Sequence, residues 1–542
     1  MSKAILLFIK DILMVLLAII AITSCNNSST TKKSILVKTD TTITKTNAYS
    51  SLDLDSMILE NYILKNHLQS TMAEEMRNFY KNRNYHFAWF SMAGLTEQAR
   101  TFYNLHHTYV MADMDTSEYD KKLDTTMDQL LNDDNFILTP QEVTKTELHL
   151  TQHFFKFSKE VYEGTIDPLQ LQWHIPKKKI DAVSLLDSLI AKNGTKLEDW
   201  EPVNRFYPLL KGKLLTYYKM DKNGGWDSII LNNKVYRPGD SSEIIPTLKK
   251  RLTITGDYSG EDTSFKFTDP LNQALQHAQK RFGLNADGVL GNQTAKELNV
   301  SVKDRIEQML INMERLKWMP NESSGTRLVA NIPEFRLHVF NGDQQEFSMK
   351  IVVGKAGHNT VIFTDSLDYV VFNPYWNIPQ SIVRNEILPS MRRDKNYLRK
   401  NNMEQTGYFN GLPVIRQKPG PLNALGRVKF IFPNNYNIYF HDTPAKSLFN
   451  LSDRAFSHGC IRLSEPERLA DYLLINNPEW TQSRINTMMT QGGKNTWVKL
   501  KQKVPVYIVY FTAWVTKDGT LNFRNDIYGH DAKMEKMMFE TK

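Results

Sequence analysis

The spacing of apolar residues changes once along this chain, after Pro320, and that change restricts the folds open to it. Upstream, from about Leu52, large apolar residues recur three and four positions apart, as in Leu148, Phe154, Phe155 and Val161, which gathers side chains on one face of a helix. Downstream they recur every second position: Phe335, Leu337 and Val339 alternate with Arg336 and His338, and Asn341-Gly342 supplies a tight turn. Phe347, Met349, Ile351 and Val353 then alternate back. A pattern of one period does not settle into the other structure, so the spacing predicts an α+β multidomain chain, all-helical first and mainly β afterwards. With 542 residues, 41% of them hydrophobic and 23% charged, there is material for more than one core, and a disordered chain is excluded. A net charge of +8 without a run of five basic residues gives no nucleic-acid arm.

Lys3 and Lys10 precede an apolar run, Ile12 to Ile22, that ends in Thr23-Ser24-Cys25. This is the layout of a secretory signal, and the run falls short of the ~20 apolar residues that cross a bilayer. Small residues before a cysteine resemble the lipobox of bacterial lipoproteins. Residues 1–25 are therefore expected to be a signal peptide with Cys25 as the lipidation site, an uncleaved anchor being the alternative. Residues 26–51, rich in Ser, Thr, Lys and Asn, form a flexible tether. The body of the protein is expected in the cell envelope, outside the cytoplasm, held to a membrane by its N-terminal lipid, on the periplasmic face. Cys25 and Cys460 are the two cysteines. With Cys25 lipidated, Cys460 has no partner and is either buried and inert or kept because it reacts.

Residues 52–220 are predicted to form a helical scaffold, broken at Asp167-Pro168 and Ile175-Pro176. Its aromatics Tyr85, Phe87, Trp89 and Phe90 fit core packing better than a binding surface. Residues 237–300 form a compact helical module in which Leu271, Ala274, Leu275, Ala278 and Phe282 share a face. Gly283 ends that helix, Asp287-Gly288 turns, and Gly291-Asn292 opens a second. Residues 326–515 form the mainly β domain, with further strands expected at Tyr369–Phe372, Val428–Phe432, Tyr436–His441 and Val504–Val515. Residues 382–426 are read as a non-strand insertion, a candidate lid or capping loop. Residues 516–542 are expected to be a tail, with Asp526, Tyr528, Gly529 and His530 exposed.

Chemistry concentrates in Tyr439-Phe440-His441-Asp442-Thr443-Pro444 and Ser457-His458-Gly459-Cys460-Ile461-Arg462. His441 ends a strand at a turn signal, and Cys460 follows in a loop that Gly459 frees conformationally. Ser464 and Glu467 around Pro466 suggest a capping box that opens a helix to about Leu474. Acyl transfer needs a nucleophile, a base and donors for the oxyanion. Cys460 fits the first role, His441 the second, and the amides of Gly459 and Cys460 the third. His458 is the second choice of base, or a donor to substrate, or a residue that orders the loop. Ser457 and Arg462 organise the loop, with Arg462 a candidate partner for a substrate carboxylate. A zinc site at His441, His458 and Cys460 lacks a fourth ligand, so no metal is expected.

A His, a gap, and Ser-His-Gly-Cys with Arg two residues on resembles the L,D-transpeptidase family with the YkuD-type catalytic domain. Gln279 to Gly283, Asp287 to Gly291 and Thr294 resemble the type 1 peptidoglycan-binding domain. The order of parts, and Asn373-Pro374-Tyr375-Trp376-Asn377-Ile378-Pro379, resemble the large branch with a capping subdomain. The resemblance implies Cys460 as nucleophile and His441 as proton donor and acceptor, with Ser457, His458, Gly459 and Arg462 completing the signature. Tyr439, Trp376 and Asn377 are implied as substrate-binding residues. Some members carry Asn in place of Arg462. It further implies peptidoglycan stem peptides as donor and acceptor, 3→3 cross-links, no cofactor, and carbapenems as covalent inhibitors. The alternatives are an L,D-carboxypeptidase, attachment of a stem to a protein, and a non-enzymatic peptidoglycan-binding lipoprotein.

Overall fold

The computed structural model describes residues 50–113, 120–133, 135–192, 201–320 and 324–540. The expected signal, Cys25 and nearly all of the tether lie outside these residues. The chain divides into two compact units, one of residues up to 99 with 137–152, the other of 100–136 with 153 onward.

In the first unit the helices Ser56–Lys65 and Ser70–Asn82 bury Leu59, Ile63, Met76, Phe79 and Tyr80. Phe87, Trp89 and Phe90 are core residues, as their clustering suggested, whereas Tyr85 is only half-buried. They are organised by a carboxylate: Glu147 accepts hydrogen bonds from the amides of Ala88 at 2.6 Å and Trp89 at 2.9 Å and from the Tyr80 hydroxyl at 3.0 Å. These are the bonds a buried acid needs.

In the second unit the helices Ile244–Ile254, Asp269–Arg281 and Asn292–Leu298 form a small module. Leu271, Ala274, Leu275, Ala278 and Phe282 are buried together, and Gly283 and Gly288 both have φ of +70°. Gln279 ties the turn to the second helix, donating to Asp287 and Thr294 and accepting from the Gly288 amide.

The β domain is built from β1 (Thr326–Asn331), β2 (Arg336–Asn341), β3 (Gln344–Gly354) and β4 (Ile362–Phe372). Next come β5 (Trp376–Asn377), β6 (Met403–Phe409), β7 (Leu412–Gln417), β8 (Val428–Ile431) and β9 (Phe440–His441). They are followed by β10 (Ala455–Ser457), β11 (Ile461–Leu463), β12 (Thr496–Val509), β13 (Ala513–Val515) and β14 (Leu521–Phe523). The order β8-β9-β11-β3-β2-β1-β12-β4 closes on itself because β8 also pairs with β4, and β10 attaches to β3. Closure removes the unpaired edges that an open sheet would present. The α+β class expected from the two periods is the class found.

Three local expectations are corrected. The insertion is not free of strands: β5, β7 and β6 form a three-stranded sheet over a core of its own, Ile378, Ile382, Val383, Ile387 and Ile415. Much of β6 is exposed on both faces and shows no alternation, although Asn410-Gly411, both at positive φ, is a hairpin turn. The C-terminal residues are not a loose tail. β14 pairs with β13, Met534 is fully buried, and His530 packs edge-on against Tyr510 at 4.8 Å and Trp173 at 5.9 Å. Asp526 holds this turn, accepting from the Tyr510 hydroxyl and the amides of His530 and Asp531. Finally, the helix Pro466–Leu474 ends where expected, but its N-cap is Glu465 without a side-chain bond, and the Ser464 hydroxyl is buried without a partner.

Candidate active site

Phe440 of β9 pairs with Ile461 of β11 in parallel register, and both are fully buried in the core. Alternation along each strand sends the flanking residues to the opposite face, which gathers Tyr439, His441, Cys460 and Arg462. On the other side of β9, His441 pairs with Lys429 of β8, which adds a cation to that face.

The cysteine loop is fixed from within. The Ser457 hydroxyl accepts from the Gly459 amide at 3.1 Å and donates to the Cys460 carbonyl at 2.6 Å. Gly459 has φ of +116°, where a side chain is strained. Its carbonyl accepts from the Thr360 hydroxyl at 2.8 Å, and that hydroxyl accepts from the Gly354 amide at 2.9 Å, anchoring the loop to β3. The Gly459 amide is thus engaged by Ser457, so of the two amides considered for the oxyanion, that of Cys460 is the better placed.

His441 is 4% exposed, and its Nδ1 lies 2.5 Å from the Asp442 carbonyl. A carbonyl can only accept, so Nδ1 carries the proton and Nε2 keeps its lone pair. Burial, reinforced by the charge of Arg462, lowers the imidazole to about 3. The Asp442 side chain serves elsewhere, accepting from the amides of Arg427 at 2.8 Å and Thr443 at 2.7 Å and from Lys446 at 2.6 Å. A main-chain oxygen, not a carboxylate, therefore orients the ring.

Cys460 is half-buried, with Sγ 3.4 Å from the Asn437 carbonyl. Burial pushes the thiol up, against hydrogen bonds from the Tyr439 amide and hydroxyl and the charges of Arg462 and Lys429. The resting site holds a thiol and a neutral imidazole on one face, with the thiol directed at the Asn437 carbonyl, a state that needs proton transfer during attack. The Tyr439 hydroxyl also meets Trp376 of β5, joining the thiol to the base of the insertion.

Not every expected residue joins this group. Exposed His458 turns to the insertion, its Nε2 3.1 Å from the Glu386 carboxylate and its ring 5.2 Å from that of His358. Asn377 is exposed and follows Trp376, so the strand alternation turns it to the other face. Two residues were missed: Lys429, and Trp497, whose ring lies 5.5 Å from the Lys429 ammonium. Lys429 sits in an ordinary alternating strand, and only the register with His441 reveals it.

The closed sheet thus presents a cysteine and a tautomer-locked histidine on one face. Residues 325–508 match the L,D-transpeptidase catalytic domain, YkuD, residues 74–214 a scaffold domain, and residues 241–298 the "Putative peptidoglycan binding domain". The chain therefore carries a catalytic domain of the L,D-transpeptidase family, preceded by a scaffold domain and a peptidoglycan-binding domain. A "Putative L,D-transpeptidase" of Haemophilus influenzae is 31% identical over 257 residues, 44% of this chain and 50% of the relative, so the chain spans about half of that protein's length. Among solved structures, the L,D-transpeptidase of Xylanimonas cellulosilytica (residues 123–326) is 13% identical with a TM-score of 0.16, over 51% of this chain and 98% of that one. L,D-transpeptidase 1 of Mycobacterium tuberculosis is 14% identical with a TM-score of 0.18, over 35% and 64%.

Proposed function

We propose that the protein is a peptidoglycan L,D-transpeptidase that forms 3→3 cross-links through a thioester on Cys460. The observation that carries this reading is the placement of His441 and Cys460 on one face of paired strands, with Nδ1 committed to the Asp442 carbonyl and Nε2 left as the base.

Cys460 Sγ attacks the carbonyl joining the third residue of a donor tetrapeptide to its terminal D-Ala, and His441 Nε2 takes the thiol proton. The tetrahedral oxyanion is received by the Cys460 amide and the Tyr439 hydroxyl, donors of a type worth about 3 kcal/mol each. Collapse breaks the C–N bond, the proton passes from Nε2 to the departing amine, and D-Ala leaves. The amine on the third residue of an acceptor stem then attacks the thioester, gives its proton to His441, and restores the thiol as the new amide forms. No cofactor takes part. Ser457 and Gly459 hold the loop, Trp376 and Tyr439 line the groove, and the helical module binds the glycan-peptide mesh. The same reading makes Cys460 the target of carbapenems and Cys25 the lipid anchor that keeps the enzyme in the envelope.

The test is mass spectrometry of products from disaccharide-tetrapeptides. The intact protein is expected to give a 3→3 dimer, Cys460→Ala none, and His441→Ala a rate lower by roughly 10² to 10⁴. Tripeptide without dimer would instead mean that water is the acceptor. No Cys460-dependent product on several stem types would leave a wall-binding protein.

A further inference from the structure

Lys429 projects from β8 onto the face that carries His441 and Cys460. Because His441 pairs with Lys429 on one side and Arg462 on the other, the two cations flank the imidazole. Strands lie ~4.8 Å apart, so the two backbones are about 10 Å apart across the histidine, a span that two long side chains can close over one anion. The Lys429 ammonium lies 5.7 Å from the Tyr439 ring and 5.5 Å from the Trp497 ring, and Trp497 meets Tyr369 edge-on at 5.7 Å.

Other buried cations of this chain have partners of two kinds: carboxylates, as for Lys249 with Asp262, Arg281 with Asp257, Arg305 with Glu297 and Arg315 with Asp531, or main-chain carbonyls, as for Arg251 with Leu298 and Arg454 with Ile351, Leu451 and Phe335. Around the thiol neither kind is found among the described residues. Among the described residues neither Lys429 nor Arg462 has an ion-pair partner, although both are half-buried, and Arg462 Nε is buried with no hydrogen bond at all. Aromatic faces offset only part of the cost of a desolvated ammonium, and they leave its charge uncompensated. A substrate carboxylate supplies what is missing and also screens the two charges that face the imidazole.

We propose that Lys429 and Arg462 form a carboxylate pocket beside Cys460, and that Lys429 makes the site select stem peptides with a free carboxylate next to the scissile bond. This rests on the peptidoglycan reading above. Two carboxylates have that chemistry: the C-terminus of the departing D-residue, and the side chain of a third residue that is a diacid.

The experiment compares release of the terminal D-residue by the full chain in detergent from three tetrapeptides: the free acid, its C-terminal amide, and the amide of the third residue's side chain. Wild type is expected to lose roughly 10- to 100-fold in kcat/KM, mainly through KM, on one of the two amides, and which one identifies the carboxylate. Lys429→Met should lose a similar factor on the free acid while its rate on that amide stays level, and Lys429→Arg should recover most of it. Alkylation of Cys460 by a neutral reagent checks that the variants keep the site. Equal use of acid and both amides by wild type overturns the inference without any variant, as does an acid-to-amide ratio that Lys429→Met leaves intact. No Cys460-dependent release from any stem would end the peptidoglycan reading and this inference with it.

Discussion

At the scale of the residue, the site depends on two side chains held in their uncharged forms. The imidazole, lowered to about 3 by burial, differs from an unfolded histidine near 6.5, so between these pH values the unfolded chain binds the extra proton. Stability that is present above pH 6.5 is therefore lost progressively as pH falls toward 3, a slope expected in urea melts and expected to flatten in His441→Gln. The thiol is shifted in the opposite sense to an activated cysteine, so alkylation of Cys460 by iodoacetamide should keep rising with pH above 7 and show no plateau at acidic pH. A plateau near pH 5 would mean a pre-formed thiolate-imidazolium pair and would sink the neutral-pair mechanism. Cys460, His441 and Arg462 stood out in the sequence because their types and spacing are chemical. Lys429 did not, because a lysine in a strand is ordinary until its neighbours are known.

Elements behave according to what their buried polar groups are tied to. Glu147 of the helix Pro140–Glu163 is raised by burial to about 7 from an ordinary 4.5. Between those values the folded unit keeps a proton that the unfolded chain has released, so its stability falls as pH rises from about 4.5 to 7 and stays low above. Glu147→Ala should remove that slope and cost about 3 kcal/mol, by stranding the Ala88 and Trp89 amides, whose exchange with deuterium would speed up. The same logic governs the cysteine loop. Gly459→Ala puts a Cβ at φ +116°, where there is room but strain, so the expected result is about 1–2 kcal/mol of stability lost and a larger loss of acylation. The insertion shows the converse: β6 buries little and leaves no alternation to read, β7 alternates in burial through Pro413, Ile415 and Gln417 without a matching apolar pattern, and the Asn410-Gly411 turn is the signal between them.

For the whole molecule, the C-terminal residues connect parts that the chain order separates. Arg281, at the end of the helix Asp269–Arg281, donates to the Leu521 carbonyl at 2.9 Å, and Arg524 returns a bond to the Arg281 carbonyl at 2.7 Å. Arg305 covers the Phe523 ring at 4.4 Å, and Arg315, fully buried, pairs with Asp531 at 2.6 Å while lying over Trp173. Tyr528 donates to the Thr360 segment's neighbour, the Gly354 carbonyl, which ties the same residues to the strand that anchors the cysteine loop. Deleting residues 516–542 should therefore uncover Arg315 and the Trp173 cluster and lower the melting temperature by well over 5 °C, a shift that ~2 kcal/mol produces even in a large domain. A truncated chain that melts like the full one would contradict this role.

The sequence by itself determined what periodicity and residue chemistry encode: helices before Pro320, alternating strands after it, the apolar face of the small module, and a cysteine and histidine whose types admit acyl transfer. These are local properties, legible because a helix or a half-buried strand repeats its burial every few residues. The tertiary structure alone decided the rest. Register placed Lys429 beside His441, ring closure made one face of Tyr439, His441, Cys460 and Arg462, and packing drew His530 inward while leaving His458 to the insertion. Each of these depends on which strands pair, and pairing joins residues far apart in the chain, where spacing along the sequence carries no signal.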